Sequence, residues 1–271
     1  MIRIHQIDSL DIPQLSPYLT LRRTAEHEKQ GIFVAEGEKV VARLMESDLE
    51  VISVLITEEW LGVYTDRLER RSGAIDVFLG AKSLLSSIVG FHLHQGIMAV
   101  ARIPKAMELT DVVNQSRRPL IFVAVEGMTN SENLGVVVRN CAAFGVQALI
   151  VGETSSSPYL RRAVRNSMGT IFRLPVVESQ NLVETIKTLR KEFEIGVVAA
   201  HPHSAEHVKD SPCLTRDCCV VLGSEGEGIS EGTLAECTEA VAIPMMLGVD
   251  SLNVSSASAV ILYEVMRRRQ P

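Results

Sequence analysis

Three stretches of this chain combine polar groups with bare backbone. The first, GSEGEGIS at residues 223–230, follows the apolar run 218–222. Its glycines let backbone come close to a ligand, while Glu225 and Glu227 repel an anion. A neutral or cationic ligand suits it better than a phosphate. No Gly-Lys dipeptide occurs, which excludes a Walker loop, and Gly223, Gly226 and Gly228 are spaced GxxGxG rather than in the dinucleotide pattern GxGxxG. An esterase elbow is not expected. Taken alone, the loop reads equally as a solvated surface turn.

The second stretch, NSENLGVVVRNCAAFG at residues 130–145, has helical spacing. Leu134, Val137, Val138 and Cys141 fall on one core-facing side, and Gly135 and Ala143 lie one turn before and after Arg139. A guanidinium with small neighbours suits a bidentate contact with carboxylate or phosphate; spacing alone fits an ordinary exposed helix arginine as well. In the third stretch, IPMMLGVDSLNVSSASAVILYEVMRRR at residues 243–269, Ser251 or Asn253 is the expected cap of a helix. That helix has small first turns, which leave amide donors approachable, and Arg267, Arg268 and Arg269 suit its negative end. A fourth group, His201, His203 and His207, offers a metal-dependent hydrolase as an alternative, but no acidic ligand pattern accompanies it and a loop beside a cofactor fits better.

These groups need a scaffold, and the apolar runs supply one. After residue 119, LIFVAVEG, VQALIVGE, FRLPV, IGVVAA, CCVVLG and AVAIPM read as strands, most of them separated by helical patterns. Near-continuous apolar strands of this kind predict a parallel sheet covered on both faces by helices, with ligands at the carboxyl ends of the strands. Before residue 104, GIFVAEG, VISVLIT, IDVFLG and QGIMAVARI predict a smaller α/β domain. The segment 104–118, with prolines nearby and mixed charge, reads as the linker, so the expected domains are 1–103 and 119–271.

The 271 residues, 46% hydrophobic and 22% charged, are enough for one large or two ordinary globular domains. The start lacks a basic region followed by an apolar one, and no run approaches the roughly 20 apolar residues of a membrane span, so a cytoplasmic protein is expected. Five cysteines, with one adjacent pair and no CxxC, fit reduced thiols. A formal net charge of −6 argues against coating nucleic acid by bulk charge, although arginines cluster locally, as at Arg161, Arg162 and Arg165.

In this order and spacing, NLGVVVRNCAAFG, LGSEGEGIS and IPMMLGVDSLNVSSASA resemble the three motifs of the SpoU (TrmH-like) branch of the SPOUT RNA methyltransferases. The likeness runs from Leu120 to the C-terminus and includes RNSMGTIFRLPV as a connecting segment. FVAEGEKVVARLMES and HQGIMAVA are similar to the ribosomal-protein-like RNA-binding domain that many members carry. Where members have Asp-Pro before the motif asparagine, this chain has Ser131-Glu132.

The resemblance implies methyl transfer from S-adenosylmethionine to a ribose 2'-hydroxyl, most readily in 23S ribosomal RNA, with transfer RNA as the alternative substrate. It also implies a deep trefoil knot in the C-terminal α/β domain, a homodimer and no metal. A non-catalytic RNA-binding protein of the same fold is the competing reading, and a Rossmann-type methyltransferase is disfavoured because the glycine loop comes late in the domain. Matched by position, Leu222, Gly223, Ser224, Gly228, Ile243, Met245 and Leu252 fall at cofactor-binding positions. Asn133, Arg139, Glu225, Ser251 and Asn253 fall at catalytic positions. The family assigns the arginine to removing the 2'-proton; because guanidinium is always protonated, binding a neighbouring phosphate and stabilising the alkoxide is an equal expectation for Arg139. Arg161, Arg162 and Arg165 become candidates for contacting the RNA backbone.

Overall fold

The computed structural model describes residues 1–89, 96–246 and 248–269. They form two compact units: Met1–Pro104 together with Tyr159–Arg173, and Lys105–Pro158 together with Leu174 onward.

The first unit is built on a mixed five-stranded sheet: β1 (Ile2–Ile7), β2 (Ile32–Glu36), β3 (Val51–Ile56), β4 (Ile75–Gly80) and β5 (Ile97–Arg102), in the order β1-β4-β3-β5-β2. Strands β3, β4 and β5 are almost wholly buried, as their apolar runs predict. The edge strand β1 is absent from the sequence expectation because IRIHQI is mostly exposed and shows no apolar run. Its parallel ladder with β4 runs from Ile2 opposite Ile75 to Ile7 opposite Gly80, and polar pairing adds to it: Arg3 Nη2 donates to Asp76 Oδ2 and His5 Nε2 pairs with Asp76 Oδ1, both at 2.8 Å. Burial opposes ionisation of Asp76, but the hydrogen bonds from His5 and Arg3 outweigh it and hold the carboxyl below its usual range.

The segment Tyr159–Arg173 packs within this unit. The Phe33 ring lies 5.4 Å from Phe172 and 5.7 Å from Tyr159, and Arg43 Nη1 donates to the Met168 carbonyl at 2.6 Å. FRLPV, expected as a strand, is therefore divided. Thr170–Arg173 is a 3-10 turn with Phe172 buried, and pairing begins only at Val176, after Pro175, which has no N–H to give to a ladder.

The second unit is a six-stranded sheet, parallel throughout: β6 (Ile121–Val125), β7 (Ala148–Val151), β8 (Val176–Glu178), β9 (Gly196–Ala200), β10 (Cys218–Leu222) and β11 (Glu239–Val241). Its order is β11-β9-β10-β6-β7-β8. The chain progresses outward from β6 through β7 to β8 and then returns past β6, so β6 and β10 become neighbours, with Val125 opposite Leu222. The segment expected as a linker contains the helix Leu109–Gln115, whose Val112 and Val113 are buried in this unit's core. All five cysteines are free thiols, and burial pushes Cys213 and Cys218 up to about 11 and Cys237 to about 12. Among the described residues no helix is long and apolar enough to cross a membrane.

Candidate active site

Because β6 and β10 are adjacent and parallel, the loops that follow them leave the same sheet edge side by side. After β6, Asn130 caps the helix Ser131–Ala143, its side chain accepting from Glu132 N at 2.9 Å and Asn133 N at 3.3 Å. After β10 the glycine loop closes on itself: Ser224 N donates to Gly228 O at 3.0 Å, and Gly228 N to Ser224 O at 3.1 Å. A Cβ on Gly223 would lie 2.2 Å from the Gly228 carbonyl carbon and 2.6 Å from Ile229 N. Glycine at 223 is thus demanded by the loop's own closure, before any ligand is considered. Gly228 takes φ +71°, a left-handed conformation, and Glu225, Gly226 and Glu227 stand exposed at the tip.

Three of the residues singled out in the sequence, one from each motif, meet at the tip. Glu225 Oε1 accepts from Asn133 Nδ2 at 2.6 Å and from Asn253 Nδ2 at 2.5 Å, and the two amides approach each other at 3.4 Å. Asn253, rather than Ser251, caps the C-terminal helix Val254–Arg269, its Oδ1 accepting from Ser255 N at 2.9 Å. Ser251 is exposed, two residues from the cluster, and makes no hydrogen bond among the described residues.

Arg139 is not drawn into the cluster. Six residues along a helix place it about 120° around the axis from Asn133, where it is exposed and makes no hydrogen bond or ion pair among the described residues. Leu134, Val137, Val138 and Cys141 are buried as their spacing predicts, but Gly135 is buried with them, so the clear face beside Arg139 comes from exposed Ala142 and Ala143. The position seven residues after Asn133 does face the cluster's side. Asn140, missed in the sequence, donates to Ser255 O and to Ser258 Oγ, both at 2.8 Å, and joins the motif helix to the C-terminal helix. Its spacing from Asn133 was the available signal.

The remaining cofactor-position residues divide by strand. Leu222 is buried at the end of β10, and Gly223 and Ser224 follow it, half-buried. Ile243 and Met245, also half-buried, leave β11, separated from β10 only by parallel β9, so both segments emerge at one sheet edge. Leu252 is exposed, next to Asn253. His201, His203 and His207 belong to the loop after β9: the first two rings pack edge to face at 5.9 Å, while His207 pairs with Ala242 as a backbone bridge. Among the described residues no group of three His, Cys, Asp or Glu side chains is placed to hold a metal.

Residues 228–232, Gly-Ile-Ser-Glu-Gly, do have the spacing of an esterase elbow, contrary to the sequence expectation. The Ser230 hydroxyl is otherwise engaged, however: it donates to Glu126 Oε1 at 2.7 Å and accepts from Thr233 N at 3.3 Å. Arg161, in the first unit, pairs with Glu36 at 2.5 Å with only 17% and 12% of the two side chains exposed, while Arg165 reaches the same carboxylate at 3.5 Å and stays 58% exposed. Arg162 is exposed.

Residues 120–263 match the model of the SpoU rRNA Methylase family. The chain is 33% identical over 181 residues to the 23S rRNA (guanosine-2'-O-)-methyltransferase RlmB of Vibrio parahaemolyticus, covering 65% of this chain and 71% of that protein. Among solved structures it is similar to the SpoU methyltransferase AviRb from Streptomyces viridochromogenes in complex with AdoMet, at TM-score 0.81 and 25% identity over 95% of this chain and 99% of that one. The fold is shared also with the AdoMet-bound rRNA methyltransferase from Sinorhizobium meliloti, at TM-score 0.83 and 20% identity over 99% of each chain. A family match spanning all three motifs, on a parallel sheet whose loops bring those motifs to one edge, means that this chain belongs to the SpoU rRNA methylase family.

Proposed function

We propose that this protein transfers the methyl group of S-adenosylmethionine to a ribose 2'-hydroxyl of 23S ribosomal RNA. The observation that carries the reading is the single carboxylate oxygen of Glu225 shared by Asn133 and Asn253, which joins all three family motifs. The surroundings fit the cofactor's chemistry. A closed glycine loop offers backbone groups, Ile243, Met245 and Leu252 offer apolar surface, and the loop's own charges are the carboxylates of Glu225 and Glu227, compatible with a sulfonium.

The cofactor, when bound, supplies an electrophilic methyl group on a positively charged sulfur. The ribose 2'-hydroxyl would accept that methyl group and give up its proton to water, since the Arg139 guanidinium is always protonated and cannot take it. Leu222, Gly223, Ser224, Gly228, Ile243, Met245 and Leu252 would hold the cofactor. The Glu225 cluster, with Ser251 beside it, would orient the ribose. Arg139, permanently charged and unpaired among the described residues, would bind the neighbouring phosphate and stabilise the developing alkoxide.

The first unit is assigned to RNA binding, with exposed Arg162 and Arg165 as phosphate contacts. The reading also carries a trefoil knot in the second unit, a cytoplasmic site of action, no metal and a homodimer. Exposure of Val260 (41%) and Tyr263 (51%) on the C-terminal helix, and of Met246 (84%), supports the homodimer. The test is transfer of labelled methyl to bulk ribosomal and transfer RNA followed by alkaline hydrolysis. Label in resistant dinucleotides from ribosomal RNA is expected; label in mononucleotides means base methylation and overturns the chemistry, and label in transfer RNA alone overturns the substrate.

A further inference from the structure

Glu126, the first residue after β6, holds both ends of the glycine loop. Its backbone N–H donates to the carbonyl of Leu222, the residue entering the loop, at 2.9 Å. Its carboxylate takes the residue leaving the loop: Oε2 accepts from Ser230 N at 2.9 Å, and Oε1 from Ser230 Oγ at 2.7 Å. A further donor, Thr233 Oγ1, reaches Oε1 at 2.8 Å from a fully buried residue in the helix Glu231–Glu236. The segment between these anchors contains Gly223, Gly226 and Gly228, whose backbone freedom makes any single loop conformation entropically costly. It also carries Glu225 at its tip.

We propose that Glu126 is a positioning residue of the methyl-transfer site, acting through Ser230 and Thr233 to preset the glycine loop and with it the Glu225 carboxylate. The proposal rests on the methyltransferase reading. A carboxylate is required because three donors converge on two oxygens and a carboxylate only accepts. Glutamine in the same place turns an NH2 group toward one of those donors, leaving it unpaired. Aspartate falls short by one methylene.

The test compares the full-length protein with Glu126→Gln, Ser230→Ala and the double variant. Amide hydrogen exchange at residues 224 and 228 reads the loop, calorimetric titration with S-adenosylmethionine reads the cofactor, and steady-state kinetics separate KM from kcat. In Glu126→Gln the two amides exchange faster, while amides in β6 and β10 keep their protection. Loss of charge-assisted hydrogen bonds weakens cofactor binding and raises the KM for cofactor by about tenfold, with RNA affinity unchanged. Because Glu126 acts through Ser230, the double variant binds cofactor no more weakly than the weaker single variant.

Unchanged exchange at residues 224 and 228, or cofactor affinity within about twofold of the unaltered protein, overturns the proposal. So does strict additivity in the double variant. If Glu126→Gln does not fold, Ser230→Ala and the isosteric Thr233→Val carry the same readouts. If the unaltered protein does not bind S-adenosylmethionine, the methyltransferase reading fails, and hydrogen exchange alone decides whether Glu126 orders the loop.

Discussion

Asn133 Nδ2 lies 2.6 Å from Glu225 Oε1, joining side chains 92 residues apart in the chain. The same oxygen takes Asn253 Nδ2. Replacing the shared acceptor by Glu225→Ala removes the partner of both amides and is expected to lower kcat by about 100-fold or more while cofactor affinity changes little. Steady-state kinetics with calorimetry measure the split, and a wild-type kcat removes the cluster from the chemistry. Asn133→Ala and Asn253→Ala should be non-additive, since each disturbs the same carboxylate.

Arg139 is exposed and makes no ion pair among the described residues, so its replacement should leave the melting temperature unchanged. An electrostatic role predicts that Arg139→Lys retains a measurable fraction of activity, whereas Arg139→Ala loses about 100-fold to 1000-fold. A lysine variant as inactive as the alanine variant would show that the bidentate geometry of guanidinium, or proton removal, is needed instead.

The arginines of the connecting segment should separate by partner. Arg161→Ala leaves Glu36, 12% exposed, without its close cation and is expected to destabilise the protein by about 1–3 kcal/mol, read in denaturant titration. Replacing Arg162, Arg165 and Arg161 together weakens RNA binding and flattens its salt dependence, with cofactor binding retained. Arg165→Ala alone, at a side chain 58% exposed, should act on the salt slope without a stability cost. Unchanged RNA affinity in the triple variant excludes this segment from the RNA contact.

Two glycines in one loop should respond oppositely to alanine. A Cβ at 223 meets backbone at 2.2 Å, whereas a Cβ at 226 meets nothing within 4 Å. Gly223→Ala therefore opens the loop and abolishes measurable cofactor binding; Gly226→Ala keeps affinity within about threefold. Equal affinities in the two variants would mean that the loop's closure does not matter to the ligand.

The alternating apolar runs determined the α/β class, the parallel sheet and most of its strands, because strands buried on both faces must be apolar along their length. The resemblance to the family's motifs marked Asn133, Arg139, Glu225, Ser251 and Asn253 together, and of these Asn133, Glu225 and Asn253 meet. Strand β1 escaped because it is a mostly exposed edge strand with no apolar run, and the strand expected from Phe172 begins only at Val176 because the Phe172 ring packs on Phe33 within the first unit. The cap of the last helix and the need for glycine at 223 rest on close neighbours in particular loop conformations, whereas the bracing of the site by Glu126 and Asn140 rests on contacts between residues 104 and 115 positions apart. Local sequence carries no record of such pairs. They exist only once β10 is laid beside β6 and the C-terminal helix against the motif helix, which are decisions of the tertiary structure.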